Sequence, residues 1–145
     1  MLDLDEAPYE EVRDSLNDVA TVNRYLSGYR VLLHHSEKLL KEHQLDRPFT
    51  VVDASTGSAD QPVALVRLAR RLGVSIQITA IDINSKMLKM AKDEICEYPE
   101  IRLVQCDLLA LPFKDEGFDL AVNNLSLHHF TWDNAVAIIK AIYKS

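Results

Sequence analysis

The sequence predicts an α/β fold, a Rossmann-like parallel sheet with flanking helices preceded by an N-terminal helical hairpin. Three observations carry this. From Pro48 onward, short β-branched runs alternate with segments of helical spacing. Three of those runs end in Asp and the fourth ends in Asn-Asn. No repeat and no Gly/Ser linker interrupts the alternation. Strand–helix alternation of this kind calls for parallel strands joined by crossovers, with ligands outside the carboxyl ends of the strands. The 145 residues, 48% apolar and 26% charged, suffice for one core and not for two.

The elements follow in order. Residues 1 to 46 carry apolar positions at helical spacing, Val12, Leu16, Val19 and Leu26, broken at Gly28. A second run with Leu32, Leu33, Leu39 and Leu40 completes the hairpin, either a packing appendage or a lid over a binding site. Phe49 to Asp53 is the first strand of the second unit, residues 47–145. Val63 to Leu72 repeats at helical spacing, with Asp60 as N-cap, Pro62 in the first turn and Gly73 as the stop. Ile76 to Asp82 is a second strand, after which Ser85 caps a helix running to Glu97 and stopped by Pro99. Ile101 to Asp107 and Phe118 to Asn124 are the third and fourth strands. Thr131 caps a last helix that runs nearly to Ser145.

Composition excludes several functions. Sixteen Lys+Arg against 22 Asp+Glu give a net charge of −6, and the basic residues are scattered, so a nucleic-acid partner is not expected. A cationic or zwitterionic ligand suits this charge better than a polyanion. No apolar run approaches the roughly 20 residues of a membrane helix, and the acidic start is unlike a secretory signal, so a cytoplasmic protein is expected. Cys96 and Cys106 lie in no metal or redox pattern and read as reduced core thiols. His34, His35 and His43 share the N-terminal segment, but adjacent His34 and His35 cannot occupy one helix face, so no metal is expected.

The chemistry concentrates at the strand ends. Asp53-Ala54-Ser55-Thr56-Gly57-Ser58-Ala59-Asp60 must be a tight turn that brings a helix N-terminus to a ligand, with closest approach at Gly57. It matches neither G-x-G-x-x-G nor a P-loop. Asp82, at the end of strand two, can accept from both hydroxyls of a ribose and would repel a 2′-phosphate; otherwise it caps the next helix. Asp107 can accept from an exocyclic adenine amine while the next backbone N–H reaches a ring nitrogen; otherwise it is a loop carboxylate.

Four blocks then carry a resemblance: Val-Val-Asp53-Ala-Ser-Thr-Gly57-Ser-Ala-Asp60, Ala-Ile-Asp82-Ile-Asn-Ser-Lys-Met87-Leu88, Cys-Asp107-Leu-Leu-Ala-Leu-Pro112-Phe113, and Phe118-Asp119 through His128-His129-Phe130. In order and spacing, residues 49 to 145 resemble a class I S-adenosylmethionine-dependent methyltransferase. The nearest likeness is to the small-molecule C-methyltransferases of ubiquinone and menaquinone biosynthesis. The resemblance implies S-adenosylmethionine as cofactor and a small-molecule methyl acceptor. Asp53 and Gly57 would hold the methionine end, with Ser55 in the same bend counted among the cofactor-binding positions. Asp82 would take the ribose hydroxyls, Ile83 would pack on the adenine, and Asp107 with the Leu108 backbone would read it. Asn123 would sit near the sulfonium and the amino group.

His128 and His129 follow the fourth strand, where a base could take a proton from the acceptor; the plainer reading packs one under the last helix and exposes the other. Trp132 and Phe130 line the acceptor pocket or belong to the core.

Two departures from the family pattern stand out. Ser55 and Ala59 occupy positions where many members have glycine, and a Cβ at Ala59 costs energy if that residue needs a positive φ. The alternation supplies four strands where the family sheet has seven, so an incomplete fold, truncated after the fourth strand, is expected. The open edge of that strand would then pair with a second copy or another partner. The leading reading is a small-molecule methyltransferase. The alternative is a truncated or inactive domain that binds the cofactor weakly or serves as a partner-binding module. An NAD oxidoreductase is disfavoured because the G-x-G-x-x-G glycines are missing.

Overall fold

The computed structural model describes residues 28–110, 117–123 and 131–144. The expected first helix of the hairpin, the Leu-Pro-Phe block, Asn124, His128, His129 and Phe130 lie outside them. In chain order the elements are α1 (Gly28–Glu42), β1 (Phe49–Ala54), α2 (Asp60–Leu72), β2 (Ile76–Asp82), α3 (Ser85–Glu94), β3 (Ile101–Gln105), a 3-10 turn (Leu108–Ala110), β4 (Leu120–Asn123) and α4 (Trp132–Lys144).

All strand pairs are parallel, in the order β3-β2-β1-β4. β1 is central, with Val51 across from Ile78 on one side and Leu120 on the other. That position explains its sequence: a strand covered on both faces reads as a continuous apolar run. Val51 and Val52 are fully buried although they point to opposite faces. Phe49, Val51, Ile76, Ile78 and Ala80 pack with Leu40 of α1 and Val63, Val66 and Ala69 of α2. On the other face, Val52, Ala54 and Ile81 pack with Leu108 and with Ile138 of α4. The apolar α1 run divides accordingly, with Leu40 buried and Leu39 left exposed.

Several boundaries move from their expected places. The N-cap of α2 is Ala59, in the left-handed region at φ 63°, and not Asp60, which is the first helical residue. Pro62 does sit in the first turn, and Gly73 ends the helix at φ 70°, where an L side chain would be strained. The cap of α3 is Asn84 and not Ser85: its side chain accepts from the backbone N–H groups of Lys86, at 2.9 Å, and Met87. A carbonyl oxygen accepts there as a serine hydroxyl would, and Asn84 lies one residue better placed to reach them. The helix ends at Glu94, short of Glu97, because the chain turns at Ile95 to send Tyr98 into the core. β3 stops at Gln105, so Asp107 lies beyond the strand, and β4 starts at Leu120, two residues later than expected. Cys96 is exposed and is not a core thiol, whereas Cys106 is partly buried and packs against the core on the α4 face; both are free. Thr131 accepts from the Asn134 N–H, as a cap should.

The amino ends of β1 and β4 are clasped by Asp119. Its carboxylate takes two hydrogen bonds from the Arg47 guanidinium, both 2.7 Å, and two more from Thr50, from the backbone N–H at 2.8 Å and the hydroxyl at 2.9 Å. Paired first with Arg47, the Asp119 carboxyl is held well below the usual carboxylate range. The Phe118-Asp119 block is thus structural, at the end of the sheet opposite the strand carboxyl ends.

Candidate functional site

β1 is followed in sequence by β2 on one side, whereas its other neighbour is β4, so the direction of winding reverses at β1. A crevice opens at such a reversal outside the carboxyl ends of the strands. The chain places Asp53 and Ala54 there from β1, Asp82 from β2, and Asn123 from β4, which lies across from Ala54. Asp107 follows just after β3. With neighbouring strands about 4.8 Å apart, a row from β1 to β3 spans roughly 10 Å, the width of a nucleoside.

The bend above the crevice runs from Ser55 to Ala59, and alternate residues take left-handed backbone: Ser55 at φ 67°, Gly57 at 57° and Ala59 at 63°. Only one of the three is glycine. The other two carry a Cβ at a cost of roughly 1–2 kcal/mol each, which is the penalty expected at Ala59 and extends to Ser55. Alternation of this kind turns successive N–H groups toward one concave side. Thr56 N–H is tied to the Ile81 carbonyl at 2.8 Å and Ala59 N–H to the Thr56 carbonyl at 3.0 Å, which fixes the bend. A Cβ built on Gly57 would meet nothing within 4 Å, so the space in front of it is open.

Asp82 joins the bend to the next turn. One carboxylate oxygen accepts from Gly57 N–H at 3.0 Å and the other from Asn84 N–H at 2.9 Å. Each oxygen keeps a second lone pair for a ligand hydroxyl. Ile83, next in sequence, leaves its side chain exposed. Asp107 accepts from Leu109 N–H at 2.9 Å and starts the 3-10 turn, while Leu108 buries its side chain beside Val52 and Ile81.

Asp53 differs from the other acids. It is only 2% exposed, and one of its oxygens has no hydrogen-bond partner. Burial pushes its carboxyl up to about 6; the Thr56 hydroxyl eases the shift without closing a hydrogen bond, and the nearby Asp82 charge adds to it. The Thr56 hydroxyl and the Gln61 side-chain oxygen are likewise buried without partners. The unpartnered oxygens of Asp53 at the end of β1 and of Thr56 in the bend suit a cation with N–H donors, so these residues fit the amino end of an amino-acid ligand.

The structure therefore brings Asp53, Ser55, Gly57, Asp82, Ile83, Asp107, Leu108 and Asn123 to one edge of the sheet, whereas His128 and His129 fall outside the described residues. Thr56 and Gln61 were not singled out from sequence. Their signal is burial, which neither residue type announces. Among the described residues no group of three or more His, Cys, Asp or Glu side chains could hold a metal ion. No helix among them is long and apolar enough to cross a membrane.

Known proteins resemble this chain in sequence and in fold. A 2-phytyl-1,4-naphtoquinone methyltransferase from Trichormus variabilis is 31% identical over 127 residues, covering 83% of this chain and 54% of its own. A demethylmenaquinone methyltransferase from Lysinibacillus sphaericus is 24% identical over 82% of this chain and 50% of its own. The chain thus spans about half the length of these curated relatives. The crystal structure of a SAM-dependent methyltransferase from Aquifex aeolicus superposes with a TM-score of 0.61 at 18% identity, over 96% of this chain and 67% of that one, and shares the fold. Residues 51–145, from the middle of β1 through the bend and all the strand-end acids, match the family described as the methyltransferase domain, and the chain belongs to that family.

Proposed function

We propose that this chain binds S-adenosylmethionine and passes its methyl group to a small apolar acceptor of the quinone class. The observation that carries the reading is Asp53: a carboxylate 2% exposed, with an oxygen lacking any partner, beneath a bend that is open at Gly57. The names of the relatives, a naphthoquinone and a demethylmenaquinone methyltransferase, support the acceptor class.

When bound, S-adenosylmethionine supplies an electrophilic methyl on a sulfonium. In this reading, Asp53 and the Thr56 hydroxyl receive the ligand's amino group. Asp82 keeps its hold on Gly57 and Asn84 while its remaining lone pairs accept the ribose hydroxyls. Ile83 lies against the adenine, and Asp107 with the Leu108 N–H reads its edge. Asn123 borders the sulfonium side of the crevice. His128 or His129 would take the acceptor's proton.

Calorimetry with S-adenosylhomocysteine tests the cofactor half: micromolar binding, weakened about 10–100-fold in Asp82→Ala, is expected from the loss of charge-assisted bonds. NAD bound in preference would sink it. Methyl transfer to a demethylated naphthoquinone, lost in the double variant His128→Ala/His129→Ala, tests the rest. A second reading, binding without turnover, draws on the strain at Ser55 and Ala59, and cofactor binding with no transfer across an acceptor panel would favour it. We further propose a cytoplasmic setting and self-association through the outer edge of β4; a strictly monomeric species by light scattering at high concentration would refute the latter.

A further inference from the structure

The turn between β2 and α3 is held more firmly than its exposure warrants. Three ties converge on three residues. The Asp82 carbonyl accepts from Cys106 N–H at 3.1 Å, the last backbone rung between β2 and β3. The Asp82 carboxylate accepts from Asn84 N–H. The carbonyl between them, that of Ile83, lies past the end of the ladder, and the side-chain amide of Gln105 donates to it at 3.1 Å. Gln105 ends β3 in register with Asp82, so its side chain extends the sheet by one contact where the backbone of β3 has already turned away.

What the ties hold is the backbone that carries an isoleucine side chain 62% exposed. Ordering an exposed apolar group gains nothing for the ligand-free fold, because its burial term is largely missing. It does help a ligand that must lie flat against it, since the ordering cost is met before binding.

We propose that Gln105 is a positioning residue for nucleobase recognition: by holding the Ile83 carbonyl it fixes the Ile83 side chain as a platform for a purine ring. The proposal rests on the reading of Ile83 as the surface that meets the adenine. Gln105 itself does not touch the base in this scheme; it acts through the Ile83 backbone.

Gln105→Glu tests this, since it keeps shape and replaces the donor with an acceptor facing a carbonyl. Calorimetry with S-adenosylhomocysteine should show binding weakened about fivefold, as for one lost hydrogen bond. In an Ile83→Ala background the same substitution should change affinity by less than about 1.5-fold, because the platform is already gone. A merely structural role would persist in both backgrounds. Without any ligand, amide exchange at Asn84 should quicken in Gln105→Glu while the melting temperature is unchanged. Wild-type affinity in Gln105→Glu, or an equal loss in both backgrounds, overturns this proposal alone. Failure of the wild-type chain to bind any adenosyl ligand overturns it together with the proposed function.

Discussion

Replacing Asp53 with asparagine should stabilise the ligand-free protein at neutral pH while impairing its site. The folded protein holds the Asp53 proton more tightly than the unfolded chain does, with a carboxyl near 6 against a reference of 3.8. The folded state therefore binds more protons between these values, and stability falls as pH rises through them. The contribution is fully present below about pH 4 and lost above about pH 6. A gap of roughly two units at 1.36 kcal/mol each amounts to about 3 kcal/mol. The substituted side chain would carry no charge at any of these pH values, and its amide could donate to the Thr56 hydroxyl, which has no partner. At about 3 °C per kcal/mol for a chain of this size, the variant should melt roughly 6–9 °C above the wild type at pH 7.5. Thermal unfolding followed by circular dichroism between pH 4.5 and 7.5 measures this as a difference between the two proteins, which cancels the other titrations. The gap should narrow steadily toward pH 4.5. A gap that is absent, or equally large at both ends, would refute the argument that Asp53 is a desolvated charge waiting for a cation.

Other outcomes follow from the same geometry. Asp119→Ala orphans Thr50 N–H and should cost about 2 kcal/mol in urea titrations at pH 7; because the native carboxyl is depressed, the wild-type advantage is present above pH 4 and disappears as pH falls below it. Ser55→Gly should raise stability by about 0.5–1 kcal/mol, the relief of left-handed strain less the added unfolded-state entropy. Ala59→Gly should be close to neutral by the same assay, since it also removes a fully buried methyl worth about 0.8 kcal/mol. Asn84→Ala should cost about 1 kcal/mol as a lost helix cap, seen as earlier melting.

The strands were the most legible part of the sequence. Ile76 to Asp82 begins and ends where the alternation says, because a buried parallel strand must be apolar along its length and polar where it emerges. The strand-end acids were legible for the same reason, as carboxylates at emerging ends. Caps were not: by residue type Asp60 is a far better cap than Ala59 and Ser85 is as good as Asn84, and the choice is made by local backbone angles. The strain at Ala59 was legible only through a family in which glycine is common there, and the same left-handed backbone recurs at Ser55. Long-range polar contacts were invisible. Nothing local marks Arg47 as the partner of a residue 72 positions away, or Gln105 as the donor to Ile83.

The Asp119 clasp lies where β1 and β4 start, and the crevice lies where they finish. The two strands are paired from Val51 and Leu120 up to Ala54 and Asn123, and the four hydrogen bonds of the clasp add a second hold at the far tip, so the floor of the mouth is braced at both ends. A guest settling outside Ala54 and Asn123 therefore meets a floor whose farther anchor lies about 12 Å away, roughly four strand residues distant. Loosening the anchor would show itself at the mouth, far from any atom the guest touches.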